Sequence, residues 1–393
     1  MSRHSESNIK ATRRQAIQSM GLAAFGCLSI EPIATAADNG EDALDEAYRI
    51  LRSQEPQSQS GLSNHAPMVA EALCALAQHD KAVPWVRSHN APILELPPAR
   101  HKIDRNNWKA AVGPVPGAPN WEAANARWGD WKEYFTEELA NARWQGVLNL
   151  WAGRLAPGMS GAATHGVIRT GHVVRALGRR NNAERRAELA RALAYWASSY
   201  EELPARMHSV RGARNFTQAL SEVPLYVKAF GHKPDGRNIV EALRHVKELD
   251  RFADVKDLVA NPTDISAAIS ALTATFTRVY LRHGTSHDSI AFVHAVTGPC
   301  SLRRMTPFIE PEIARTAFPY AWQAAAAIYS AFGRSEDKPK GEEARLSPGE
   351  IAAKAVQNGD AHAIKFTEVM LAEHKINSDP VYLAAAEDAV SRL

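Results

Sequence analysis

The stretch His165-Gly166-Val167-Ile168-Arg169-Thr170-Gly171-His172 sets the interpretation of the whole chain. Each residue advances by about 100° around an α-helix, so the second histidine returns to within roughly 20° of the first, two turns further on. Arg169 lies between them and shares their face. Val173, Val174 and Leu177 continue an apolar helix. A buried His-Arg-His face predicts a functional site inside a helical core, and a solvated polar stripe is the alternative.

The rest of the sequence predicts one helix after another. Asn261-Pro262-Thr263-Asp264 is a typical helix start, and the last helices are predicted over 348–357, 360–373 and 379–393. A single long helix is predicted over 121–154, whereas the Gln/Ser-rich segment 54–62 predicts a loop. No run of alternating β-branched residues is present. We therefore expect an all-α fold, one large helical domain over residues 38–393 with helix pairs packed around a central cavity.

Residues 1–37 predict a twin-arginine signal peptide. Thr12-Arg13-Arg14-Gln15-Ala16-Ile17 precedes a moderately apolar run that is too short for a permanent membrane anchor, and Ala34-Thr35-Ala36 is a small-x-small cleavage site. A disordered basic tail is the alternative. We expect recognition by the twin-arginine export machinery, cleavage near Ala36 or Ala37, and a periplasmic or secreted protein. Because this route carries folded cargo, it also favours a cofactor loaded before export.

Composition and missing motifs exclude several classes of function. The net charge is only +3 over 393 residues, so nothing indicates nucleic-acid binding, and the three cysteines form neither a disulfide framework nor a zinc motif. The sequence contains no Rossmann glycine fingerprint, phosphate-binding loop, GxSxG nucleophile or CxxCH haem attachment. These absences leave a site built from histidines as one hypothesis, and sequence spacing alone does not show that the histidines converge.

Three further histidines have informative surroundings. His65 lies at a predicted helix start, and His294 lies in an apolar helical run, where a satisfied core histidine is the alternative. His362 is three residues before Lys365 in a helix that is substantially apolar. A buried lysine has a lowered pKa, and a neutral lysine takes up carbon dioxide to form a carbamate, which is a carboxylate-like ligand. Imidazoles with one anionic oxygen suit iron, zinc or copper.

Several separate motifs resemble the questin oxidase-like family, in the family's order, from about residue 42 to the C-terminus. They are Gly61-Leu62-Ser63-Asn64-His65-Ala66-Pro67-Met68, Val83-Pro84-Trp85-Val86, His165-Gly166-Val167-Ile168-Arg169, the helix Glu188 to Ala197, His294-Ala295-Val296-Thr297 and His362-Ala363-Ile364-Lys365. The resemblance implies an oxygenase that uses O2 to open a ring of a quinone-like or polyketide-like aromatic substrate. Because that family's chemistry is largely fungal, whereas this chain carries a bacterial-style export signal, the identity of the substrate is not carried over.

The resemblance also implies a set of site residues and cofactors. The expected ligands of Fe(2+) are His65, His165, His172, His294 and Lys365, the last in carboxylated form. His362 is expected either to replace one of these ligands or to support them, and Arg169 to steady the carbamate or an oxyanion; an ordinary ion pair between helices is the alternative for Arg169. The family has also been described in Baeyer–Villiger terms, with NADPH as cofactor.

Two alternatives to the iron oxygenase stay open at this point. One is an NADPH-dependent Baeyer–Villiger-type oxidase without a tightly bound metal, in which the histidines act as acids and bases. The other is an exported helical binding protein whose histidines fill a polar core.

Overall fold

Apolar residues spaced three and four positions apart fold most of the chain into α-helices. The computed structural model describes residues 36–58, 61–89, 93–95, 98–118, 127–206, 214–236, 238–284, 288–334 and 341–393. Within these ranges the α-helices are α1 Ala36–Leu51, α2 Ala66–Ala75, α3 His79–Ser88, α4 Trp128–Asn141, α5 Trp144–Leu155, α6 His165–Arg179, α7 Ala183–Ser198, α8 Phe216–Glu222, α9 Tyr226–Phe230, α10 Ile239–Arg244, α11 Ile265–His283, α12 Ser289–Met305, α13 Pro311–Phe332, α14 Pro348–Asn358, α15 Ala361–Ile376 and α16 Pro380–Arg392. The predicted all-α class is confirmed.

Two segments differ from the sequence-based expectation. Gln54–Ser58 (β1) pairs antiparallel with Ile93–Glu95 (β2), where a loop was expected. This short pairing depends on backbone hydrogen bonds, so no alternating side-chain pattern marks it. The long helix predicted over 121–154 is interrupted, because Ala142 is extended with φ −139° and ψ 163°. The break brings Trp131 of α4 against Trp151 of α5, with ring centroids 5.3 Å apart in the core.

Four helices form a closed ring at the centre of the fold. Neighbouring members pack in the order α2, α6, α12, α15 and back to α2. Each carries one of the histidines that the sequence singled out: His65 caps α2, His165 begins α6, His294 lies in the second turn of α12, and His362 is the second residue of α15. The ring therefore brings together four side chains that are far apart in the sequence.

Residues 36–393 make up one compact unit. The predicted twin-arginine motif and apolar run fall within residues 1–35, outside the described residues. Among the helices that the structure describes, none has the length and apolar character needed to span a bilayer.

Candidate metal centre

Four imidazole rings are in contact at one end of the helix ring. The Nε2 atom of His165 lies 2.8 Å from Nε2 of His65 and 3.2 Å from Nε2 of His294. The ring centroid of His362 lies 4.5 Å from that of His65 and 5.4 Å from that of His294. His165 and His294 are buried at 6% and 2% exposure, whereas His65 and His362 are only partly buried. We call His65, His165, His294 and His362 the histidine cluster.

Backbone carbonyls determine which nitrogen of two of these rings carries the proton. Nδ1 of His165 lies 2.6 Å from the carbonyl oxygen of Ala162, and Nδ1 of His294 lies 2.7 Å from that of Ile290. A carbonyl oxygen only accepts hydrogen bonds, so both Nδ1 atoms donate and both neutral rings present a bare Nε2 lone pair. The same arrangement orients metal-bound histidines in proteins generally.

The two bare Nε2 atoms face each other at 3.2 Å. Neither ring has a proton to place between them unless one becomes an imidazolium, and burial, the largest cause, lowers the pKa of both His165 and His294 well below the usual value. The pKa of His65 is likewise lowered by burial and by nearby Lys365. A cation placed between them would relieve the repulsion of two lone pairs directed at each other in a buried site.

The spacing of the nitrogens suits a metal ion as that cation. Two nitrogens bound about 2.1 Å from one ion lie about 3 Å apart at a right angle and about 3.4 Å apart at the tetrahedral angle. The measured 2.8 and 3.2 Å are close to this range. Within the described ranges, no set of three or more His, Cys, Asp or Glu side chains is already arranged to hold an ion. The rings would therefore have to reorient before all four faced one centre.

Lys365 supplies the remaining group near the histidine cluster. It is 2% exposed, it is the only buried lysine among the described residues, and it makes no hydrogen bond or ion pair with any of them. Burial lowers its pKa to about 7, against the opposing effect of Asp360. A large part of its population is therefore neutral at physiological pH, which is the form that reacts with carbon dioxide.

A strained segment positions His165. Ala162, Ala163 and Thr164 all have positive φ (48°, 52° and 67°), so α6 begins only at His165. Three consecutive non-glycine residues in this region are unfavourable and persist only where the surrounding structure enforces them. Close packing against α12 does so here: a Cβ added at Gly298 would lie 2.9 Å from Oγ1 of Thr164. Gly298 thus lets the turn before His165 approach the helix that carries His294.

Gly298→Ala is expected to disturb this approach. The added methyl group would meet Oγ1, Cβ and Cγ2 of Thr164 at 3.0 Å or less, so the turn must shift. We expect a loss of unfolding free energy of about 1–3 kcal/mol and a metal affinity lowered at least tenfold, measured by thermal denaturation and metal titration. Gly146→Ala in α5 is the control, because nothing lies within 4 Å of that Cβ. Equal metal affinity in both variants would contradict the role of Gly298.

His172 lies in a second polar layer. Two turns of helix, about 10.5 Å, separate it from His165, and none of the ring contacts in the described structure involves it. Its Nδ1 lies 2.7 Å from Oε2 of Glu71, which also accepts from Nε of Arg175 at 2.9 Å through Oε1. The structure thus gathers His362, and not the expected His172, with the other three histidines. A ligand role for His172 receives no support from this placement.

The second layer connects the same four helices. Glu71 of α2 binds Arg175 of α6, which also pairs with Glu368 of α15, and Glu368 pairs with Arg304 of α12. We call Glu71, His172, Arg175, Arg304 and Glu368 the ion layer. All but Arg175 are at least nine-tenths buried. Buried charges are stable only when paired, so the layer fixes how the four helices sit against one another.

Arg169 is bound within the helix packing. Its Nε and Nη2 donate to the two carboxylate oxygens of Glu188 at 2.6 and 3.1 Å, and Glu188 also pairs with Arg191. These contacts match the ion pair between helices that the sequence left open as the alternative. The hydrogen bonds of Arg169 go to Glu188 and not to the histidine cluster.

The pKa shifts predict that the metal-free protein is sensitive to acid. Folding lowers the pKa of the four cluster histidines, and that of His172 to about 4, so the unfolded chain binds more protons below pH 6.5. Stability is then lost as the pH falls through about 6.5. We expect the thermal midpoint, measured with a chelator present, to fall by on the order of 10 °C between pH 7 and pH 5. A midpoint that is constant over this interval would contradict the lowered pKa values.

Sequence reasoning missed two residues next to the site. Glu71 is a lone acid in the otherwise apolar helix Ala66–Ala75, six residues after His65. An isolated charge in an apolar helix indicates a buried polar contact, so the sequence could have identified this residue. Arg304 sits near the end of α12 beside Arg303 and looks like an ordinary surface pair in the sequence. Only the packing of α12 on α15 shows that one of the two is buried.

The fold and the site define an all-α protein with a buried four-histidine cluster above an ion layer. No protein-family model matches the chain, and no curated protein is significantly similar to it. The resemblance to the questin oxidase-like family therefore depends on the motifs quoted above.

Proposed function

We propose that this protein is a non-haem iron(II) oxygenase that uses O2 to open a ring of a quinone-like or polyketide-like aromatic substrate. The proposed ligands are His65, His165, His294, His362 and Lys365, the last as its carbamate. The observation that carries the proposal is the 3.2 Å approach of the bare Nε2 atoms of His165 and His294 in a buried site. The family resemblance supports the choice of iron and of an aromatic substrate.

An iron(II) ion bound to this donor set would supply the redox chemistry by which O2 reacts with an electron-rich ring. The chain contributes the fixed geometry. The Ala162 and Ile290 carbonyls hold two of the rings through Nδ1, which keeps Nε2 free of a proton. Burial keeps the rings neutral, so protons do not compete with the metal near pH 7.

The N-terminal ends of three helices favour the binding of an anion next to the histidine cluster. His65, His165 and His362 lie within the first turn or at the cap of α2, α6 and α15. The unpaired N–H groups of a helix start carry a partial positive charge, which stabilises a nearby anion. A carbamate on Lys365 and a phenolate substrate would both benefit from this field.

The proposal is tested by metal analysis followed by oxygen consumption. Protein purified without oxygen and supplied with iron(II) should contain one equivalent of iron, and hydroquinones or hydroxylated anthraquinones should then consume O2 without NADPH. Protein that binds no transition metal would overturn the proposal. Consumption of NADPH that depends on substrate, in protein free of metal, would instead favour the Baeyer–Villiger-type oxidase.

We also propose that residues 1–37 direct export of the folded protein through the twin-arginine machinery to the periplasm or beyond. A metal centre built from four separate helices forms only in the folded chain, and this route carries folded cargo. The mature N-terminus, determined by mass spectrometry, should lie at Ala37 or Asp38. A secreted or periplasmic protein that retains Met1 would contradict cleavage.

A further inference from the structure

Arg304 of α12 belongs to the ion layer, next to the partner helix α15 that carries Lys365 and His362. Its Nη2 donates to Oε2 of Glu368 on α15. Its side chain is 7% exposed, and its Nη1 is buried without a hydrogen-bond partner among the described residues. A buried guanidinium with a spare donor is unfavourable unless an acceptor is present in the working state of the protein.

Lys365 lies on the same side of α15 as Glu368, the partner of Arg304. His362, Lys365 and Glu368 are spaced by three residues, so they follow one another along one side of the helix. This row of side chains begins at His362 in the histidine cluster and ends at Glu368, the partner of Arg304 in the ion layer. Lys365 stands between them, is 2% exposed and makes no ion pair with any described residue.

We infer that Arg304 is a positioning residue for the carbamate of Lys365 and that its Nη1 donates to the carbamate oxygen that does not bind the metal. The inference rests on the proposed function. In the reaction, the neutral Nζ of Lys365 attacks the carbon of CO2 and forms an N–C bond. One C=O electron pair moves to oxygen, and an N–H proton leaves to water. No electron is gained or lost, and the side chain becomes an anion.

The charge of Arg304 favours the carbamate. A buried guanidinium attracts an anionic group held beside it. Arg304 therefore stabilises the carboxylated lysine. A neutral side chain at position 304 would not do so.

The test is carbon-13 NMR of the full-length protein loaded with zinc(II), a diamagnetic probe, and equilibrated with ¹³C-bicarbonate. We expect one carbamate resonance in the wild type that Lys365→Gln lacks. Arg304→Gln should lower its intensity at least tenfold at the same bicarbonate concentration. Arg304→Lys, which keeps a cation beside Glu368, should recover part of it and guards against a result caused by unfolding.

Arg303→Gln is the matched control. Arg303 joins the same two helices through Glu373, but it lies on the outer side and is not a member of the ion layer. This variant should keep the full resonance. A full resonance in Arg304→Gln would overturn the inference. Zinc bound without any carbamate resonance would also overturn it, but that result would not contradict the metal centre. Failure to bind metal at all would overturn the proposed function with it.

Discussion

Replacing His165 by glutamine is expected to abolish binding of one equivalent of iron(II), with affinity lowered by at least about 100-fold. His165 is the central ring of the cluster, because its Nε2 lies 2.8 Å from that of His65 and 3.2 Å from that of His294. Without it, the other nitrogens lose the ligand that holds them around one point. Metal content of the purified protein and a competition titration with a chelator measure the effect.

Replacing His362 and His172 by glutamine, one at a time, tests which of the two is the fourth histidine ligand of the metal. We expect His362→Gln to lose metal as His165→Gln does. His172→Gln should keep the metal within tenfold, since a glutamine amide still donates to Glu71, two turns away from the cluster. Loss of metal in His172→Gln together with retention in His362→Gln would contradict the ligand set proposed here.

Glu71→Gln is expected to lower the free energy of unfolding by about 3–5 kcal/mol, the range for breaking a buried ion pair from one side. Glu71 is fully buried and accepts hydrogen bonds from His172, Arg175 and Arg179. The neutral amide removes one of the two carboxylates that pair with each of Arg175 and Arg179, which keep only Glu368 and Glu41 as partners. Chemical denaturation of the metal-free protein at pH 7 measures the change.

Glu46→Gln provides the surface comparison. Glu46 pairs with Arg87 at 2.8 Å, but the two side chains are 46% and 65% exposed. Water screens such a pair, so the change should stay within about 0.5 kcal/mol. Similar losses in Glu46→Gln and Glu71→Gln would mean that the ion layer does not stabilise the ring of helices.

The helical class was predictable because its signals are local. Asp264 caps α11 by accepting from the backbone N–H of Ala267, as the sequence Asn261-Pro262-Thr263-Asp264 indicated. The last three helices begin and end within three residues of their predicted bounds. The long helical stretch predicted over 121–154 was wrong at Ala142, where tertiary packing overrides local preference.

The sequence by itself determined the helical fold, five histidines in apolar or capping positions, and a lysine in a buried helix. It could not determine which of them meet, because periodicity along one helix places His165 and His172 on one face without saying what lies opposite each. The ring of α2, α6, α12 and α15 decided this. It set His362 beside His65 and His294, and it set Glu71 beside His172. Two turns of helix, about 10.5 Å, exceed the span of one metal's ligand shell, so the stretch His165–His172 contributes one histidine to the cluster and the other to the ion layer.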